Sequence, residues 1–199
     1  VCSVLDFNEC DGIYYLVLEY LSGRTLSDVR RKLAEDEQDW ELTHECGLIA
    51  RVLSDACEGL HAVHELRNGD GEPLNVVHRD ISPSNLFVTY DGTVKLIDFG
   101  VACGAEQRHK TRTGVLKGKY AYLAPELLRG DKPDRRADIW GMGVVAWELL
   151  THKRLFDQDS EVETLQAIAG DMDIPAPSSV RKGIPIHLDD IVMRALRRD

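Results

Sequence analysis

The sequence predicts an α+β fold, mostly helical, carrying two short antiparallel hairpins. Three observations predict it. Asp11-Gly12 and Asp91-Gly92 each lie between apolar, β-rich runs, the strongest short-range hairpin signal. Thr43–Leu66 repeats Ile49, Val52, Leu53, Ala56, Leu60 and Val63 at the spacing of one buried helix face. Arg136–Thr151 is apolar nearly all round, as a helix at the centre of a domain must be. A chain of 199 residues suits one domain and can bury a proper core.

In chain order, Val1–Phe7 and Ile13–Leu21 read as two antiparallel strands joined at Cys10-Asp11-Gly12. Leu26–Ala34 reads as a short helix, and Glu35–Asp39 as a solvated acidic loop. The long helix follows and ends at Asn68-Gly69-Asp70-Gly71, after which Pro73 helps keep the chain extended. His61 and His64 lie on that helix without metal-ligand spacing and are expected to be structural or surface residues. The second hairpin pairs Leu86–Thr89 with Val94–Ile97. Ala105–Gly118 is rich in Lys, Arg and Thr and poor in apolar residues, a weak candidate for autonomous order. Ser160–Glu163 has the S-x-x-E form of a capping box, opening a helix to about Gly170. Ile174–Pro185 reads as a proline-containing loop, and a last helix starts near Leu188.

Charge and cysteine usage narrow the function classes. Lys+Arg 24 against Asp+Glu 34 gives −10, which argues against nucleic acid or an anionic membrane as the main partner. Cys2, Cys10, Cys46, Cys57 and Cys103 are scattered with no C-x-x-C pair, which suits a reducing cytoplasm better than a disulfide framework or zinc site. No apolar run approaches membrane-spanning length. The expectation is a cytoplasmic segment without membrane contact of its own, whatever a longer parent carries elsewhere.

The chemistry concentrates in HRDISPSNLFVTYDGTVKLIDFG, His78–Gly100. The Tyr90-Asp91-Gly92 turn folds two strands so that Asn85 stands at one end of the hairpin and Asp98 at the other. An amide oxygen beside a carboxylate is a hard-oxygen pair that suits Mg²⁺, which takes few protein ligands and keeps substrate phosphates for the rest. Asp80, on the preceding loop, is placed to accept a proton from a hydroxyl nucleophile. A metal to neutralise phosphate oxygens and a carboxylate to orient the acceptor are what phosphoryl transfer needs.

The order H-R-D-x-x-x-x-N, D-F-G, then Ala124-Pro125-Glu126 resembles the catalytic core of protein kinases, in particular bacterial eukaryotic-like serine/threonine kinases. The resemblance implies a protein-kinase-like fold with a mostly helical C-lobe over residues 22–199. Residues 1–21 would be the last two N-lobe strands and the hinge. It implies ATP and Mg²⁺ as cofactors and a protein with a Ser/Thr acceptor as partner, together with a dimer suited to phosphorylating itself in trans. Asp80 would be the base, and Asn85 and Asp98 the metal ligands. Backbone groups of Glu19 and Leu21 would read adenine, with Leu18 at the back of the pocket, Phe87 on its floor and Ser82 beside the nucleotide. Gly100 would let the chain turn after Asp98. Arg79 would pair with a phosphate on Thr111 or Thr113, ordering the loop through a charge-assisted contact. Glu126 and Asp138 would be structural, Asp138 holding the catalytic loop from below.

The sequence departs from the family pattern at two places. Serine/threonine kinases usually carry Lys where Ser82 stands, and Thr where Lys119 follows Gly118. The expectation is a relocated charge: Lys119 reaches towards Asp80 and the γ-phosphate while Ser82 makes room. The alternative is a pseudokinase that keeps the fold as an interaction module, with Ser82 as its evidence. A small-molecule phosphotransferase shares the Asp-x-x-x-x-Asn spacing, but Ala124-Pro125-Glu126 followed by D-x-W-x-x-G points to the protein-kinase branch. Against the family the chain lacks the Gly-rich loop, the phosphate-clamping Lys and the closing C-terminal helix with its partner for Glu126. The expectation is therefore a piece cut at both ends, inactive alone and prone to expose apolar surface.

Overall fold

The structure is a computed structural model and describes residues 1–35, 41–98, 120–170 and 172–198. Its order is β1 (Val4–Cys10), β2 (Ile13–Leu18), β3 (Gly23–Thr25), α1 (Leu26–Glu35), α2 (Leu42–His64), β4 (Leu86–Thr89), β5 (Val94–Leu96), a 3-10 turn (Tyr120–Tyr122), α3 (Pro125–Leu128), α4 (Arg135–Thr151), α5 (Glu161–Ala169), α6 (Pro177–Val180) and α7 (Ile186–Ala195).

Both hairpins form where the Asp-Gly signals place them. β1 and β2 pair antiparallel from Cys10↔Ile13 outward, and Asp11 and Gly12 take φ of 52° and 77°. Two successive left-handed residues are what a two-residue turn needs to match strand twist. The strands differ from expectation at their ends: β1 starts later and runs on to Cys10, and β2 stops at Leu18. In the second hairpin Leu86 opposes Leu96 and Val88 opposes Val94, with Gly92 at φ 87°. A third strand that no local pattern announces, β3, pairs with β4 through Gly23↔Thr89 and Thr25↔Phe87. It approaches so closely that a Cβ on Gly23 would lie 2.2 Å from the Val88 carbonyl oxygen.

The core is built around α4. Trp140, Met142, Val144, Val145, Trp147, Leu149 and Leu150 are all buried on it, as the apolar pattern requires. Ile139 is the exception, 43% exposed. Packing on α7 is tight enough that a Cβ on Gly143 would sit 2.9 Å from the Ala195 Cβ. From α2, Ala56, Leu60 and Val63 are buried, with Ile49, Val52 and Leu53 packed against the same core. The capping box of α5 is complete: Glu163 N–H donates to Ser160 Oγ at 3.2 Å, and Ser160 N–H donates to the Glu163 carboxylate at 3.2 Å. Within the expected loop after Ile174, Pro177–Val180 forms a short helix with Pro at its first turn, where the missing N–H costs nothing. The C-terminal helix opens at Ile186, two residues earlier than the sequence suggests.

Candidate active site

The loop before β4 is held by a carboxylate 60 residues away from His78. Asp138, in the first turn of α4, has a wholly buried side chain. It accepts from the backbone N–H of His78 at 2.8 Å and of Arg79 at 2.7 Å. Its Oδ2 also lies 2.8 Å from Nε2 of His64, the last residue of α2. Arg79 has φ 67°, a left-handed conformation that costs a non-glycine residue about 1–2 kcal/mol. Two charge-assisted bonds from adjacent amides to one carboxylate are enough to hold it there.

The same loop is tied to the end of β5. The His78 ring is fully buried, and its Nε2 faces the Ile97 carbonyl at 3.2 Å, so Nε2 carries the proton and donates. Burial lowers the His78 pKa, with the charge of Asp138 opposing in part. Ile97 N–H donates to the Asn85 carbonyl at 3.0 Å. That bond brings the backbone around Asn85 next to the residue preceding Asp98, as the hairpin spacing implies. Asp98 is itself left-handed at φ 53° and exposed. Arg79 and Asp98, two of the left-handed non-glycine residues, thus fall on positions singled out by sequence, where strain is commonly stored at functional sites.

Asn85 is buried, and its amide is oriented by use of its donors. Nδ2 donates to the Asp80 carbonyl at 2.7 Å and to Asp80 Oδ2 at 2.9 Å. With the nitrogen committed to Asp80, the side-chain oxygen of Asn85 is left as an acceptor. An amide oxygen and a carboxylate fit the sparse oxygen set that Mg²⁺ takes from a protein. No group of three or more His, Cys, Asp or Glu with metal-ligand geometry occurs among the described residues. Ser82 is 3% exposed, and its Oγ has no hydrogen-bond partner among the described residues.

The segment after β2 is anchored by two contacts that nothing in the sequence announces. The Glu19 carboxylate accepts from Ser3 N–H at 2.7 Å and from Lys95 Nζ at 2.8 Å, across 76 residues. These bonds hold the Glu19 carboxyl below its usual range, that from Lys95 foremost. Glu19 N–H donates to Ser3 O at 3.0 Å, and Cys2 N–H donates to Leu96 O at 2.9 Å. Leu21 and Phe87 are half-buried, and Leu18 is 39% exposed. Glu126, in α3, is half-buried and lines a cavity of about 870 Å³ with Arg136, Trp140 and residues of α7. Lys119, Thr111, Thr113 and Gly100 lie outside the described residues.

His64, expected to be structural or surface, is buried against Asp138. A signal for it existed: it continues the buried stripe of Leu60 and Val63 by helical spacing. Lys95 carried no such signal, because a strand lysine is ordinarily a solvated side chain. Glu148, a lone carboxylate inside the apolar helix, implied a buried cationic partner that only the fold could name.

Comparison with known proteins identifies the family. A protein kinase domain family matches residues 1–197. The chain is 42% identical over 196 residues to a protein named tyrosine-protein kinase MasK of Myxococcus xanthus, covering 98% of this chain and 30% of that protein. It is 33% identical over 204 residues to the serine/threonine-protein kinase PknB of Mycobacterium leprae, covering 100% of this chain and 30% of the relative. It is 30% identical over 200 residues to a probable serine/threonine-protein kinase of Clostridium perfringens, covering 100% of this chain and 27% of the relative. The chain therefore spans under a third of the length of these relatives. With the family matched along almost its whole length, this chain belongs to the protein kinase domain family.

Proposed function

We propose that this chain is catalytic-domain sequence of a serine/threonine kinase, moving the γ-phosphoryl group of ATP to a protein hydroxyl. The observation that carries the proposal is the committed Asn85 amide. Its nitrogen is spent on Asp80, which leaves its oxygen as an acceptor, and the Asn85 backbone is bonded to Ile97, the residue before Asp98. In this reading residues 1–21 are the end of an N-lobe with its hinge, and 22–199 belong to the C-lobe. Asp80 orients the acceptor hydroxyl and takes its proton as the oxygen–phosphorus bond forms and the bond to the ADP oxygen breaks. Asn85 and Asp98 hold Mg²⁺, which when bound neutralises charge on the phosphate oxygens. Backbone groups of Glu19 and Leu21 bind adenine between Leu18 and Phe87. Asp138, His64 and His78 act through the backbone they fix. Arg79 pairs with a phosphorylated Thr111 or Thr113, and Glu126 is structural. Ser82, small and buried, leaves room for Lys119 to supply the charge that other family members place at the Ser82 position.

A second reading, transfer to tyrosine, is favoured by the name of the 42%-identical Myxococcus relative. One experiment separates them. The full natural protein is incubated with γ-labelled Mg-ATP and a generic protein substrate, with Asp80→Asn as control, and the labelled amino acid is identified after hydrolysis. Phosphoserine or phosphothreonine absent from the control supports the proposal. Phosphotyrosine alone favours the second reading, and equal label in the control sinks both.

A further inference from the structure

The β1–β2 hairpin is exposed along its whole length, and its base is fastened to β5. One carboxylate makes much of that fastening. Glu19 Oε1 takes two donors, Ser3 N–H at 2.7 Å and Lys95 Nζ at 2.8 Å, and Glu19 N–H returns a bond to Ser3 O at 3.0 Å. The Lys95 and Glu19 side chains are 24% and 26% exposed, so water screens the pair less than it would on open surface. Ser3 ties Glu19 to the strand beside it. Lys95 ties it to the core, because β5 is anchored there by Val94 and Leu96, both buried. Lys95 also stands across from Phe87 in the sheet and three residues before Asp98.

The bond to Ser3 uses up the Glu19 N–H, so the Glu19 backbone has only its carbonyl to offer a nucleobase. A carbonyl accepts. At position 6 of a purine, adenine carries an amine that donates and guanine an oxygen that accepts. A Glu19 carbonyl held in place attracts the first base and repels the second, and the contrast is sharper the more firmly the residue is held.

We propose that Lys95 is a positioning residue for the nucleotide: through Glu19 it fixes the carbonyl that reads the purine amine, and so sets the preference for ATP over GTP. The inference rests on the reading above in which the Glu19 backbone binds adenine.

The test gives the full natural protein γ-labelled ATP or GTP, with Mg²⁺ and a generic protein substrate, and measures kcat/KM for each. ATP is expected to exceed GTP by about tenfold or more. Lys95→Met lowers that ratio by roughly two- to fivefold, the worth of a partly covered ion pair. Lys95→Arg, which keeps the charge beside Glu19 and guards against misfolding, retains most of the natural ratio. Glu19→Gln loses as much as Lys95→Met, and the double variant loses no more than either alone, because both changes remove the same pair. A merely structural Lys95 would lower both nucleotides together and leave the ratio alone. Equal use of ATP and GTP by the natural protein, or an unchanged ratio in Lys95→Met, overturns this inference and leaves the transferase reading in force. Absence of transfer from either nucleotide overturns the transferase reading, and this inference falls with it.

Discussion

Replacing Asp138 with Asn tests the physical account of the catalytic loop, because the change keeps shape and removes only charge and one acceptor. The carboxylate presents Oδ1 to Arg79 N–H at 2.7 Å, and Oδ2 to His78 N–H and the His64 ring, both at 2.8 Å. An amide has one oxygen, so whichever way the substituted side chain turns, its NH₂ faces a buried N–H. Hydrogen bonds to a charged group contribute about 1.5–3 kcal/mol each, and a stranded buried donor costs about 1–3 kcal/mol. Losing one such bond and stranding one donor therefore destabilises the fold by roughly 3–5 kcal/mol, or about 6–20 °C in Tm for a chain of this size. The left-handed Arg79 backbone, φ 67°, loses its restraint at the same time and relaxes towards an ordinary conformation, which swings Asp80. Turnover should fall by about tenfold or more even at temperatures where the variant stays folded. Denaturant unfolding and steady-state phosphoryl transfer, measured side by side, check both limbs. A variant within about 1 kcal/mol of the natural protein and with full turnover would refute the argument that this carboxylate sets the loop.

Four further outcomes are expected. Asp80→Asn should keep the fold and nucleotide binding while lowering transfer by about 10²-fold or more, the usual worth of a positioned proton acceptor, seen in single-turnover rates. Lys95→Met frees the Glu19 carboxylate and should raise KM for ATP several-fold with little change in kcat; an unaltered KM would mean that the clamp does not shape the hinge. Gly143→Ala drives a Cβ to 2.9 Å from the Ala195 Cβ and should cost roughly 1–3 kcal/mol in unfolding experiments. For His78, burial lowers the folded-state pKa below the ordinary 6.5, so the unfolded chain binds the extra proton first. Its contribution is fully present above that pH and lost as pH falls below it, and the fall in Tm between about pH 7.5 and 5.5 should be shallower in His78→Phe.

Much of this arrangement is legible in the sequence because local rules encode it. Asp-Gly dictates a left-handed turn, so Asp11-Gly12 and Asp91-Gly92 locate both hairpins, and the second of these carries Asn85 and Asp98 to neighbouring backbone positions. Helical spacing marks the buried face of α2, the wholly apolar run marks α4, and Ser160 with Glu163 marks the start of α5. The order of Asp80, Asn85, Asp98 and Glu126 is enough to point to the family. Beyond the reach of local rules are partners separated by long stretches of chain: Asp138 on His78 and Arg79, Lys95 on Glu19, and Arg30 on Glu148 across 118 residues. Periodicity tells which face of an element is buried, whereas the identity of the group opposite depends on how α1, α2 and α4 pack. Strand β3 escapes notice because three residues have no periodicity to show, and its pairing with β4 is made by backbone groups that every residue carries. The left-handed Arg79 and Asp98 are invisible for a related reason. Neither is a glycine, and at Arg79 it is the tertiary bond to Asp138 that holds the conformation.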